Sequence, residues 1–220
     1  MKFFLDSAQI AEIEYALDMW DIDGVTTNPR HVQVSGQPFL PTVQAIGKLM
    51  AGTEKTVSVE VNPHFTGWQE MVEEARKLAA LSPNFVIKLQ CSPETFKAVR
   101  ILAAEGVRVN VTLVFSAAQA LMAMRSGAYY VSPFTGWKEA NGEETTGFID
   151  EVVAIRDNFG FSTQVLVAAL RNGRQIVDAA VSGADIVTAG TAVYEAAFDH
   201  PFTHQGIAKF IEFWDKTPYA

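Results

Sequence analysis

Short apolar runs alternate along this chain with longer stretches of helical spacing. The runs cover residues 2–6, 24–28, 56–61, 85–89, 107–113, 129–133, 164–169 and 185–188. Nearly continuous hydrophobic runs of this length predict strands buried on both faces. Between them, residues 69–81 carry Met71, Val72, Ala75, Leu78 and Ala79 on one stripe. Ser92-Pro93-Glu94 opens a helix over 93–104 with a capping residue and then proline. Residues 116–126 and 173–182 are similar, and each is followed by a glycine (Gly127, Gly183), the usual helix stop. Near the end, Ile207, Phe210, Ile211 and Trp214 form an apolar stripe that predicts a helix over 206–214.

Eight strand-then-helix units predict an α/β fold, a single (β/α)8 TIM barrel over residues 1–220 with an extra C-terminal helix. An open doubly wound sheet gives the same alternation. Two features disfavour it. No G-x-G-x-x-G or P-loop follows the first strand. Polar residues also end many strands, rather than one or two at a switch point.

In a barrel, alternate strand residues point inward, and inward polar groups near the carboxyl ends line the active site. Asp6 shares a face with Phe4. Val57, Val59 and Val61 share one face of their strand, which leaves Ser58 and Glu60 on the inner one. Lys88 shares its face with Val86 and Asn84, Asn110 with Thr112, and Ser132 with Tyr130 and Phe134. Asp6, Asn28, Glu60, Lys88, Asn110, Thr112 and Ser132 are therefore expected to converge on one end of the barrel. A lone charge in a strand is usually an edge or snorkelling residue. Seven polar groups at matching positions make a poor set of separate accidents.

Lys88 is the most informative of them. A charged, unpaired lysine inside an apolar strand costs several kcal/mol. Burial favours the neutral amine, which is the nucleophile that forms a Schiff base with a carbonyl substrate. A structural ion pair with Asp6 or Glu60 is the other reading, and the two are compatible.

Composition narrows the partners. Apolar residues make up 49% and charged residues 19%, enough for a large core and too apolar for disorder. The net charge of −8, with no Lys/Arg cluster, argues against nucleic acid. The single cysteine, Cys91, excludes an internal disulfide and suits a reducing compartment. The opening apolar run is too short for a signal peptide, and no stretch is long enough for a membrane span. The expectation is a soluble cytoplasmic protein with no membrane partner. No closed metal-ligand set is visible. His200 and His204 have i,i+4 spacing, but Pro201 between them argues against a regular helix there.

Asp6, Gly24-Val25-Thr26-Thr27-Asn28-Pro29, Ser58-Val59-Glu60-Val61, Val86-Ile87-Lys88, Asn110-Val111-Thr112-Leu113-Val114-Phe115-Ser116 and Val131-Ser132-Pro133-Phe134 together resemble the transaldolase family. The resemblance runs from Lys2 to about Lys209. The short length is similar to the small subgroup that includes fructose-6-phosphate aldolase, whose members assemble as decamers by exchanging C-terminal helices. The resemblance implies a metal-free reaction with no cofactor beyond the covalent Schiff base. It implies that Lys88 attacks the C2 carbonyl of a ketose, and that Glu60 and Thr112 hold and activate the water of imine formation. It also implies that Asp6 takes the C4 hydroxyl proton and that Asn28, Asn110 and Ser132 bind hydroxyls of the three-carbon unit. The aldolase branch carries Gln and Tyr where this chain has Glu60 and Phe134, so the pattern here resembles the transferase branch.

The chain departs from the family at the anion-binding end. Trp137 stands where members that use sugar phosphates carry Arg. Ala168-Ala169-Leu170-Arg171 lacks the usual serine but keeps Arg171. Arg30-His31 replaces a small residue after Pro29. A phosphate monoester carries about −1.5 to −2 charges and favours two basic partners. A sulfonate carries one charge and suits one arginine plus an indole N–H. The segments around Trp137 and Arg171 resemble the sulfofructose-using branch, with Arg30, Trp137 and Arg171 on the anionic tail and glyceraldehyde 3-phosphate as acceptor. An ordinary sugar-phosphate transaldolase or fructose-6-phosphate aldolase is the alternative, and a non-catalytic binding barrel a remote one. Trp137 also reads as a rim aromatic, Arg30 as a surface charge and Lys138 as a solvated one.

Overall fold

The computed structural model describes residues 1–219. Eight parallel strands follow one another in chain order, and the last pairs with the first to close a barrel. They are β1 (Lys2–Asp6), β2 (Gly24–Thr26), β3 (Thr56–Glu60), β4 (Phe85–Gln90), β5 (Val109–Val114), β6 (Tyr130–Pro133), β7 (Gln164–Val167) and β8 (Ile186–Ala189). Each overlaps one expected apolar run, with ends that differ by at most two residues. The connecting helices are α1 (Ile10–Trp20), α2 (Pro29–Ser35), α3 (Phe39–Leu49), α4 (Trp68–Ala79), α5 (Pro93–Ala104), α6 (Ala117–Arg125), α7 (Gly136–Ala140), α8 (Thr146–Phe159), α9 (Gly173–Val181) and α10 (Thr191–Phe198). A last helix, α11 (Pro201–Trp214), follows the barrel.

Side-chain caps explain where several helices begin. Asn28, Ser92, Ser116 and Asn172 accept the backbone N–H groups of His31, Thr95, Gln119 and Gln175. These are donors that the first helical turn leaves unpaired. Gly127 and Gly183 have φ of 90° and 82° just past α6 and α9, as their helix-stop role requires. Pro201 corrects the sequence reading. It starts α11 instead of preventing a helix, because proline at the first helical position gives up an N–H that has no partner there. His200 is the cap, and its ring accepts the Phe202 N–H.

The barrel separates two apolar layers. Outward strand residues such as Leu5, Val25, Val57, Val59, Ile87, Val111 and Val187 pack with Ile13, Ile46, Met71, Val99 and Val152 of the helices. Inside, Phe4, Val86, Tyr130, Leu166, Ile186 and Ala168 form a separate cluster. Gly24 makes room for it: a Cβ there would lie 2.6 Å from the Phe4 ring and 2.7 Å from the Thr56 carbonyl. The plug fills the lower barrel and leaves the carboxyl ends of the strands open.

α11 belongs to neither layer. Phe202, Ile207, Phe210, Ile211, Phe213 and Trp214 are all more than half exposed, and no α11 residue is buried. No helix among the described residues is long and apolar enough to cross a membrane.

Candidate active site

Above the plug, a cavity of about 620 Å³ opens at the carboxyl ends of the strands. Asp6, Asn28, Glu60, Lys88, Asn110, Thr112, Ser132 and Phe134 all line it, together with Arg30, Trp137 and Arg171. The structure thus brings the inward-facing polar groups together around one cavity. They meet because β3, β4 and β5 pair in register, Glu60 with Lys88 and Lys88 with Asn110.

Lys88 stands at the floor with a side chain only 7% exposed. Its ammonium lies 3.5 Å from Glu60 Oε2 and donates to the Thr27 carbonyl at 3.1 Å. Burial raises the Glu60 pKa, and the charge of Asp6 adds to the rise, while Lys88 pulls the other way without cancelling it. Asp6 shows the opposite balance. Burial pushes its pKa up, but the His31 hydrogen bond and charge, the Lys88 charge and the Thr26 hydroxyl together bring it below the ordinary value. Thr26 donates to Asp6 Oδ1 at 2.7 Å, and His31 Nε2 lies 3.1 Å from Asp6 Oδ2. Two carboxyls near one amine therefore have pKa values driven apart, as an acid–base division of labour needs.

The adjoining wall is built for hydroxyl groups. Asn110 is fully buried, accepts the Ser132 hydroxyl at 2.7 Å and donates to Ser58 Oγ at 3.1 Å, which fixes its amide orientation. Thr112 Oγ1 is buried with no hydrogen-bond partner among the described residues. An orphaned hydroxyl at a cavity wall is a site for a water or a substrate oxygen. Asn28 caps α2 through Oδ1 and so holds the helix start against the cavity.

The outer rim comes from loops. Leu113 and Ala169 have φ of 57° and 60°, conformations that L side chains rarely adopt, and both line the cavity. Leu113 lies within the register shift of β5 against β6. Ala169 presents its carbonyl to α7. Only glycine fits opposite, because a Cβ on Gly136 would lie 2.1 Å from that oxygen. This seating places Trp137 at the rim, half exposed, stacked on Phe115 at 5.9 Å and edge-on to Phe134 at 5.7 Å. Arg30 and Arg171 come from separate loops and line the same space, and neither forms an ion pair among the described residues.

The family model described as transaldolase/fructose-6-phosphate aldolase matches residues 3–217. This chain belongs to the transaldolase/fructose-6-phosphate aldolase family. It is 51% identical over 218 residues to the 6-deoxy-6-sulfo-D-fructose transaldolases of Priestia aryabhattai and Priestia megaterium (strain ATCC 12872 / QMB1551), across 99% of this chain and 96% of theirs. It is 39% identical over 220 residues to a probable transaldolase of Geotalea daltonii (strain DSM 22248 / JCM 15807 / FRC-32), across 99% of this chain and the whole of that one.

Within this family setting, two readings from sequence need correction. Lys138 is not solvated. Its side chain is 13% exposed, paired with Glu143 and poised over the Phe148 ring. It braces the segment after α7 and does not line the cavity. His204 lies on regular helix α11, paired with Asp199. No group of three or more His, Cys, Asp or Glu side chains among the described residues could hold a metal ion. The residue that sequence reasoning left without a role is His31. Its signal was present, three positions past the capping Asn28, where a helical side chain turns back toward the strand ends.

Proposed function

We propose that this protein is a Schiff-base transaldolase that moves a dihydroxyacetone unit from a ketose with an anionic terminus to an aldehyde. The observation that carries this reading is the Lys88 amine, buried at the floor of the cavity between Glu60 and the Thr27 carbonyl, with Asp6 on the same cavity wall. The deprotonated amine adds to the C2 carbonyl. The carbinolamine loses water with proton transfer through Glu60 and the Thr112 hydroxyl, leaving an iminium. Asp6 takes the C4 hydroxyl proton. The C3–C4 electron pair then flows into the iminium, which becomes a neutral enamine as the first aldehyde departs. The acceptor aldehyde is attacked by C3, its new alkoxide recovers the proton from Asp6, and water releases the product ketose. Asn28, Asn110 and Ser132 bind hydroxyls of the bound unit. Phe134 offers no hydroxyl to orient a water against the enamine, which favours transfer over release. The covalent bond to Lys88 is the only group the cycle needs.

The donor we favour is 6-deoxy-6-sulfofructose, with glyceraldehyde 3-phosphate as acceptor and sulfolactaldehyde and fructose 6-phosphate as products. The names and 51% identity of the two Priestia relatives support it. So does the rim, where an indole replaces a cation and Ala169 brings no hydroxyl. One observation favours a sugar-phosphate donor instead. Arg30 and Arg171 line the same cavity, so two guanidinium groups are available to a dianion. Borohydride trapping read by intact mass separates these donors. Sulfofructose and fructose 6-phosphate are compared at limiting concentration. Faster formation of the reduced dihydroxyacetone adduct from sulfofructose is expected. Faster labelling by fructose 6-phosphate overturns the donor assignment, and no adduct from either overturns the lysine mechanism.

The same reading extends to assembly. The exposed apolar face of α11 is covered by a neighbouring copy in a homo-oligomer, of decamer size if the subgroup pattern holds. Its partners are small sugars and its own copies, in a cytoplasmic setting, with no nucleic acid or membrane.

A further inference from the structure

His31 has no part in the mechanism above, yet it touches Asp6, the group that takes the C4 hydroxyl proton in it. α2 starts at Pro29 directly after the second strand, and the Asn28 amide oxygen accepts the His31 N–H at 3.0 Å. This fixes His31 in the first turn, and its ring crosses to β1. Nε2 then lies 3.1 Å from Asp6 Oδ2, while Thr26 holds Oδ1 from the neighbouring strand at 2.7 Å. Both carboxylate oxygens are thus gripped, one from each side. The two side chains keep 22% and 21% of their surface, so the pair faces the cavity rather than the core.

We propose that His31 is a positioning residue for the transfer reaction: it donates Nε2–H to Asp6 Oδ2 and holds that carboxylate ionised and aimed at the substrate hydroxyl. This rests on the assignment of Asp6 as the base. The physical need is specific. Asp6 is partly withdrawn from water, and that desolvation favours its protonated form. Lys88 supplies one supporting charge before the bond breaks, but it is itself the reacting group. His31 supports the carboxylate without taking part in a covalent step. Thr26 cannot replace it, since its one hydroxyl proton is already given to Oδ1.

The other ionisable groups around the pair are Lys88 from β4, Glu60 from β3, Arg30 beside His31 on α2, and Arg171 after β7. Tyr194 of α10 is committed elsewhere, its hydroxyl donating to the Phe4 carbonyl at 2.8 Å. Among the described residues, Asp6 is the carboxylate within ion-pair distance of His31. A change in the acid limb of activity on altering His31 therefore reports Asp6.

The test compares His31→Leu, which removes the donor, with His31→Gln, which keeps an N–H of similar reach. Steady-state kinetics are measured across pH, alongside borohydride trapping of dihydroxyacetone itself, which needs imine formation but no bond cleavage. His31→Leu should lower kcat about tenfold, a fraction of the whole worth of a general base, with KM nearly unchanged. Its acid limb should move to higher pH, because losing the donor raises the Asp6 pKa. His31→Gln should recover most of kcat, and both variants should trap dihydroxyacetone at the parent rate. An unchanged kcat and acid limb in His31→Leu overturns the proposal. So does a rise in KM alone, which makes His31 a substrate ligand, and so does equal loss of trapping in both variants. If the parent gives no adduct, the lysine mechanism fails, which is distinct from every His31 outcome.

Discussion

Replacing Lys88 by Met tests the electrostatics of the floor as well as the nucleophile. Met fills similar volume without charge, so packing should survive. What changes is Glu60, which is 9% exposed and loses its 3.5 Å partner. Its pKa is already raised by burial against the pull of Lys88, so without Lys88 it rises further. A carboxyl with a folded pKa above its unfolded one destabilises the fold by up to about 1.4 kcal/mol for each pH unit between the two. The sign follows from the raised folded pKa. The fold is hardly penalised below the unfolded pKa, and stability falls as pH rises toward the folded one. The comparison is Lys88→Met against Lys88→Met/Glu60→Gln, by urea unfolding at one protein concentration. The double variant should be more stable, and the gap should widen between pH 5 and pH 7 by up to about 1.4 kcal/mol per pH unit. Both should be inactive and form no borohydride adduct. A gap that stays flat across that range would refute the reasoning, because Glu60 would then be ionised and solvated by the cavity. Parent-level turnover in Lys88→Met would refute the Schiff base.

Three further outcomes are expected. Arg171→Ala should raise KM for the anionic donor about tenfold, as loss of one charge-assisted contact does. It should leave trapping of dihydroxyacetone near the parent rate, and equal effects on both would place Arg171 outside the tail site. Gly136→Ala forces a Cβ into the Ala169 carbonyl at 2.1 Å. The cost should be about 1–3 kcal/mol of stability with a shifted Trp137 and weaker donor binding, measured by melting and steady-state kinetics; parent-like values would mean α7 is not seated as described. Phe210→Asp on α11 should lower the mass seen by light scattering, since a buried Phe contributes roughly 1.5–3 kcal/mol per contact. A parent that is already monomeric removes that role from α11.

Strand residues and rim residues were not equally legible in the sequence. Glu60, Lys88 and Asn110 could be placed inward because a strand offers only two faces, and the apolar residues beside them, such as Val59, Ile87 and Val111, claim the outer one. That constraint is local, so a reader of one strand can apply it. His31, Arg30 and Arg171 had no such constraint. Their convergence depends on the pairing of β1 with β2 and of β6 with β7, and on how α2 leaves its strand. Lys138 was misread for the same reason, since Glu143 and Phe148 approach it only once the chain after α7 has folded back. Pro201 was misread for a different reason. The rule against proline inside helices was applied to a position that the His200 cap turns into the first one.

The departures from the family pattern all lie on the rim, and none on the floor. The floor groups sit in paired strands, where each side chain is held by register and a substitution disturbs two neighbours. The rim groups sit on loops that the closed barrel supports but does not dictate, the usual division of labour in this fold. His31 bridges the two regions. It is carried by a rim helix yet grips the carboxylate of a floor strand, so the chain's change after Pro29 has consequences for both. On the proposed reading, the segment that brings Arg30 to the anionic tail brings His31 to the base. The two roles then sit on one short helix as separate side chains. A variant that restores a small residue at Arg30 while keeping His31 should alter KM for the anionic donor without moving the acid limb, and His31→Leu should do the reverse. If both variants moved both quantities together, α2 would be acting as one rigid element, and the two side chains would have no separate roles.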